Sequence, residues 1–125
     1  MSRLETIAAA DLLAVLADFG ESVTCQPLDG PARTISAYVE YAREADILLV
    51  SVLEITNEHI WATFTNDETN ATYGGVAAPA SGLILRRAAD SVEHAWSFSP
   101  QVEEIPGGWR VLFTRRRLYR VGPHQ

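Results

Sequence analysis

From residue 21 onward the side chains alternate, and that alternation limits the fold more than any other feature of the chain. Val23 and Cys25 share one parity while Ser22, Thr24 and Gln26 share the other, the period of two expected of a strand with one covered face. The pattern returns in residues 34–41, where Ile35, Ala37, Val39 and Tyr41 lie on one side. Pro27-Leu28-Asp29-Gly30-Pro31 separates the two runs. This is dense turn chemistry, because glycine accepts positive φ and proline presets φ while lacking a donor. A hairpin is expected. Ahead of it, Leu4, Ile7, Ala8, Leu12, Val15, Leu16 and Phe19 recur by threes and fours, the period of an amphipathic helix. With Thr6 or Asp11 as cap and Gly20 as stop, the helix is expected at residues 5–19, its firmest part being 9–18.

Further along, residues 47–55 are almost continuously apolar and β-branched, which suits a strand covered on both faces. Ile60, Trp61 and Phe64 mark another short element whose type the spacing leaves open. Residues 65–82 are small, polar and glycine-rich with no sustained period. They read as one long loop, and long insertions in compact domains tend to be functional or mobile. Strands are expected at 83–87, 92–98 and 109–115, with a fourth at 118–121, and Pro106-Gly107-Gly108 turns the chain before Trp109. Val92, His94, Trp96 and Phe98 share a parity, as do Trp109, Val111 and Phe113. The expectation is one mainly β domain spanning residues 1–125: a small antiparallel β-barrel or sandwich of six to eight strands, with a short N-terminal helix across one end or side and a long central loop.

The 125 residues are 47% hydrophobic and 21% charged, which excludes the disordered class. No apolar run reaches about 18 residues, and the N-terminus lacks the pattern of a secretory signal. No membrane span is expected, and synthesis is placed in the cytoplasm. A net charge of −6 argues against general affinity for nucleic acid, which depends on neutralising phosphates. All ten basic residues are arginine, and the charge is uneven: residues 1–70 sum to −9 and residues 71–125 to +3. Opposite-signed regions suit head-to-tail docking of neighbouring copies. They are equally the mark of an ordinary, unevenly charged surface.

Convergent chemistry is sparse. The single cysteine, Cys25, has no partner for an internal disulfide and builds no structural zinc site alone. Mid-strand between Thr24 and Gln26, it reads as a small buried hydrophobe rather than an activated thiolate. His59, His94 and His124 match no short metal-ligand spacing. Asp67-Glu68 and Glu103-Glu104 are adjacent acids that point to opposite faces of an extended chain, so neither is a carboxylate dyad. Gly74-Gly75 and Gly107-Gly108 fit no phosphate-binding loop. No metal, cofactor or catalytic constellation is assigned, and the chain is not read as an enzyme. The basic cluster of Arg115, Arg116 and Arg117, with Arg86, Arg87, Arg110 and Arg120, suits an acidic neighbouring subunit at least as well as phosphate.

A short helix, a "DFGESVT" entry into the first strand, a Pro/Gly turn, "RTISAYVE", a long loop and a closing "WRVLFTRRRLYRV" together resemble the small head-to-tail joining proteins of long-tailed bacteriophages and prophages, the stoppers or head-completion connectors. The resemblance covers most of the chain as a pattern. It implies a β-barrel protomer of a homo-oligomeric ring, hexameric or matched to a dodecamer. Such a ring is made in the host cytoplasm and sits in the virion neck between portal-adaptor and tail proteins. It lines or closes a channel through which DNA passes without sequence-specific binding. On that reading the channel or gating loop is residues 66–82, with Asn66, Asp67, Glu68, Asn70, Tyr73, Gly74 and Gly75. The subunit interface takes Arg86, Arg87, Arg115, Arg116, Arg117 and Trp61. Tyr73, Trp96 and Trp109 are further aromatic anchors, with core packing the stronger reading for the two tryptophans. Where family members often carry a "GD" turn before a late strand, Pro106-Gly107-Gly108 stands here, so a tail terminator or another neck protein is the near alternative. A host monomeric β-barrel holding a small ligand in its mouth is the alternative from another class. An enzyme built on His94, Glu93 and Cys25 comes third.

Overall fold

The computed structural model describes residues 3–42, 57–90 and 95–116. In chain order these form α1 (Arg3–Phe19), β1 (Glu21–Gln26), β2 (Arg33–Tyr41), β3 (Asn57–Thr65), β4 (Ile84–Arg87), β5 (Trp96–Ile105) and β6 (Gly108–Arg116). The strands close on themselves in the order β1-β2-β3-β6-β5-β4, every pairing antiparallel. The mainly β class, the small closed barrel and the short helix are all as expected. The strands expected at 47–55 and 118–121, and residues 92–94 of the one expected at 92–98, lie outside the described residues.

Alternation does the building. Val23, Cys25, Ile35, Ala37, Ile60, Ala62, Phe64, Leu85, Trp96, Val111 and Phe113 turn inward from six strands and form one buried cluster, so the barrel interior is packed with side chains. Phe98 meets Phe113 edge to face, centroids 6.4 Å apart.

β3, whose type the sequence left open, is a nine-residue strand registered with both β2 and β6. Its inward set is Ile60, Ala62 and Phe64, yet the outward residues His59, Trp61, Thr63 and Thr65 are buried too. With both parities covered, no polar face remains to reveal the period. Part of the cover is α1, which lies along the side of the barrel against β2 and β3 and buries Leu12 and Leu16. The helix starts at Arg3, two residues before its expected start. Gly20 ends it by proximity: it donates to the Leu16 carbonyl at 3.0 Å, and a Cβ there would stand 2.4 Å from that oxygen.

β5 runs to Ile105, well past residue 98, the expected end, and takes in Pro100. Phe98 pairs with Phe113 but Val102 with Val111, so β5 advances four residues while β6 advances two. This irregularity absorbs the proline and its missing donor. The hairpin to β6 then closes through Pro106 and Gly107, the latter at φ 82°, the arrangement of a type II turn.

Phe113→Ala should lower the unfolding free energy by about 3–5 kcal/mol, moving the urea midpoint without changing the slope. Leu28→Ala, at a side chain 75% exposed, should stay within about 0.5 kcal/mol.

Candidate functional site

Two rims and one side cleft carry the chemistry. At the first rim, where β1, β3 and β5 begin, the Arg87 guanidinium donates twice to the Glu21 carboxylate, both contacts at 2.8 Å, and lies 5.9 Å from the Tyr41 ring centre. Beside it, Arg115 donates to Glu58 at 3.0 Å and to Asp90 at 2.9 Å, with its guanidinium 4.1 Å above the Trp96 ring. Asp90 also accepts the Trp96 indole N–H at 2.9 Å and the Arg87 amide at 3.0 Å. Burial pushes the Asp90 carboxyl up, but the Arg87 amide, the Arg115 guanidinium and the Trp96 indole outweigh it and hold the pKa below the usual carboxylate range.

These contacts revise the charge argument. Glu21 and Glu58 come from the acid-rich half of the sequence, Arg87 and Arg115 from the arginine-rich half, and the fold pairs them. Separation along the chain is not separation in space. Of the expected interface residues, Arg87 and Arg115 are therefore engaged within the barrel. Arg86 is half-buried beside Thr24 and Gln26. Arg116 pairs with Asn57 in the β3–β6 ladder, and Arg117 lies outside the described residues. Trp61 is only 3% exposed. It packs against Leu112 and Ala42 under the Arg110 guanidinium, 3.9 Å from the ring centre, a cation–π cover. Its indole nitrogen is buried with no hydrogen-bond partner. Arg110 in turn reaches Glu103 at 3.3 Å.

At the second rim the long loop is a folded structure with two parts. Residues 73–76 fill the seam where β3 has parted from β2. Ser36 donates to the Tyr73 carbonyl at 2.7 Å, Val76 to the Thr65 carbonyl at 3.0 Å, Arg33 to the Gly75 carbonyl and Trp109 to the Val76 carbonyl at 3.0 Å. Gly75 is buried, and a Cβ there would lie 2.7 Å from the Thr65 carbonyl oxygen. Tyr73, Gly74 and Gly75 thus close the wall. Asn66, Asp67 and Glu68 form an exposed crest above it. The crest is fixed from within: Thr69 donates its amide and hydroxyl to Asp67 at 2.9 and 2.6 Å, and the Asn70 side chain accepts the Thr72 and Tyr73 amides at 3.0 and 2.8 Å. The Thr69 hydrogen bonds hold the Asp67 pKa below the ordinary range. Such Asx-type bonding is local, and nothing in residue spacing marks where the loop turns back to the wall.

On the side of the barrel, a cleft of ≈250 Å³ separates α1 from the wall. Leu12, Val15, Tyr38, Ile105 and Pro106 line it, with Asp11, Glu40 and Arg110 at its polar margin. Sequence reading missed it because its walls come from five elements, α1, β2, β3, β5 and β6. Cys25 is buried in the core; burial pushes its thiol up to about 11 against the opposing charge of Arg33. Glu93, His94 and His124 lie outside the described residues. Among the described residues no three His, Cys, Asp or Glu side chains are grouped to hold a metal, and no helix is long and apolar enough to cross a membrane. No protein-family model matches the chain, and no curated protein matches it.

Cys25 should react with a disulfide reagent at neutral pH only after unfolding; rapid native labelling would contradict its burial. Because the folded pKa of Asp90 is depressed, its contribution to stability is present above the unfolded value near 4 and is lost as pH falls through the folded value. Arg115→Met should cost about 1–3 kcal/mol at neutral pH, and less as Asp90 protonates. Urea midpoints at pH 7 and pH 3 measure the difference.

Proposed function

We propose that this chain is a structural subunit of a head-to-tail connector, a stopper-type protein that joins a ring in a bacteriophage neck and lines or closes its DNA channel without making or breaking a bond. The observation that carries the reading is the acidic crest of Asn66, Asp67 and Glu68, exposed beyond the barrel rim and held in one shape by Thr69 and Asn70. A channel for DNA needs a lining that phosphates do not stick to. Carboxylates provide it, since affinity for the duplex backbone comes from basic groups.

The packed core supports the same reading. With Phe64, Trp96 and Phe113 filling the barrel, the working surfaces are its rims and outer wall, where a subunit in a repeating assembly meets its neighbours. The sequence resemblance to stopper proteins supplies the place in the virion. The seam residues Tyr73, Gly74 and Gly75 anchor the crest, so any gating is a movement of residues 66–72 against a fixed base. The side cleft between α1 and the wall favours a second reading, a monomeric module for a small apolar ligand. That reading requires a melting temperature that rises with ligand concentration.

The test is reconstitution with a portal and adaptor from the same genome, imaged by electron microscopy. A closed ring at the neck is expected, and the paired change Asp67→Lys and Glu68→Lys should give rings that retain duplex DNA at low salt where the parent ring does not. A neck left empty by a folded chain would overturn the assignment.

A further inference from the structure

β5 is the strand that closure leaves incomplete. β4 registers with it only at Trp96 and Ser97, and one more bond, from the Phe98 amide to the Leu83 carbonyl at 3.0 Å, ends the contact. Past that point no described strand pairs with the side of β5 that faces away from β6. Asn66 donates to the Gly107 carbonyl at 3.1 Å, next to the Thr65↔Gly108 pair, so Gly107 and Trp109 turn their main-chain groups toward β3. By alternation, Gly108 and Arg110 turn theirs toward Ile105 and Glu103. Val102 and Glu104 are then the residues whose N–H and C=O groups point out of the sheet. Val102, Glu103 and Glu104 are all exposed, so the edge is accessible.

The decoration of the edge selects its partner. Two of these three consecutive residues are glutamates, and an irregular stretch containing Pro100 precedes them. Like charges placed opposite each other destabilise a strand pair, so this edge disfavours another copy of itself, the usual protection of an open edge. The same carboxylates favour a basic strand. The chain carries one such stretch: residues 116–121 read Arg-Arg-Leu-Tyr-Arg-Val and follow β6 in the sequence.

We propose that the β5 edge at Val102 and Glu104 receives, as an added strand, the basic stretch 117–121 of a second copy of this chain. Main-chain hydrogen bonds give the contact its geometry, and Arg117 and Arg120 beside Glu103 and Glu104 give it selectivity. The two surfaces are different segments of the chain, so the contact is heterologous, the kind that repeats around a ring. The identity of the neighbour as a copy of this chain rests on the ring reading above.

A fluorescent peptide of residues 116–121, titrated into the full chain, tests it. Saturable binding is expected, with amide hydrogen exchange slowed at Val102 and Glu104 and unchanged at Glu103, which already faces Arg110. Glu104→Arg, at an exposed position, should weaken binding by about tenfold or more, and a peptide with glutamate for each arginine should not bind. Val102→Pro removes one outward donor and should act in the same direction; if it impairs folding, Glu104→Arg carries the test. No binding at millimolar peptide, protection at other amides, or indifference to Glu104→Arg would overturn the proposal. Rings assembled on a neck partner by the Glu104→Arg chain would sink the strand contact and leave the ring. A peptide seated on the edge while no ring forms would do the reverse.

Discussion

A curled sheet must meet itself, and here it does so along β1 and β4, in the pairs Val23↔Arg87, Thr24↔Arg86, Cys25↔Leu85 and Gln26↔Ile84. The rest depends on that seam. It removes two strand edges from water at once, and it places Val23, Cys25 and Leu85 inside a closed wall instead of on an open margin. The bidentate Glu21–Arg87 contact sits at its end and adds a side-chain tie to the main-chain pairing. Neighbouring β4–β5 pairing is much shorter, so the barrel is tightly sealed on one flank of β4 and barely sealed on the other.

Strands with one wet face could be read from the sequence. β1, β2 and β6 follow the alternation of Val23 and Cys25, of Ile35 and Ala37, and of Trp109, Val111 and Phe113, and their ends fall within a residue of expectation. β3 was obscure for a physical reason: His59, Trp61, Thr63 and Thr65 are buried on its outer side, so polarity does not report which way a side chain points. β5 continues past residue 98 through a bulge on an open edge, where a proline is tolerated, and residue spacing does not announce a bulge. The loop was recognised as long and without period. Its division into a wall-closing part and an exposed crest depends on carbonyl groups of Tyr73, Gly75 and Val76, which carry no side-chain signature.

Charge was the least legible property. Summed along the chain, the acids and arginines look like two opposed patches, whereas in three dimensions Glu21 finds Arg87 and Glu58 and Asp90 find Arg115. What remains unneutralised is set by topology. Asp67 sits on the crest, held by neutral donors of its own turn, and Glu104 lies on a strand edge that no described strand covers. The rim that carries the loop therefore exposes acids from both halves of the sequence, Asp67 from one and Glu104 from the other, a grouping that a count by half-chain does not show.

The seam has a further meaning in time. Glu21 and Arg87 are 66 positions apart, so the strand that completes β1 does not exist when β1 leaves the ribosome, and at ordinary elongation rates the interval is on the order of several seconds. For that period β1 has β2 on one flank and nothing on the other. Long-range closure of this kind is intrinsically slow, and a nascent strand with a free flank is exposed to pairing with the wrong chain. The six-residue length of β1 and its outward Ser22, Thr24 and Gln26 make it a poor template for such encounters, which protects the half-made barrel until its last stave arrives.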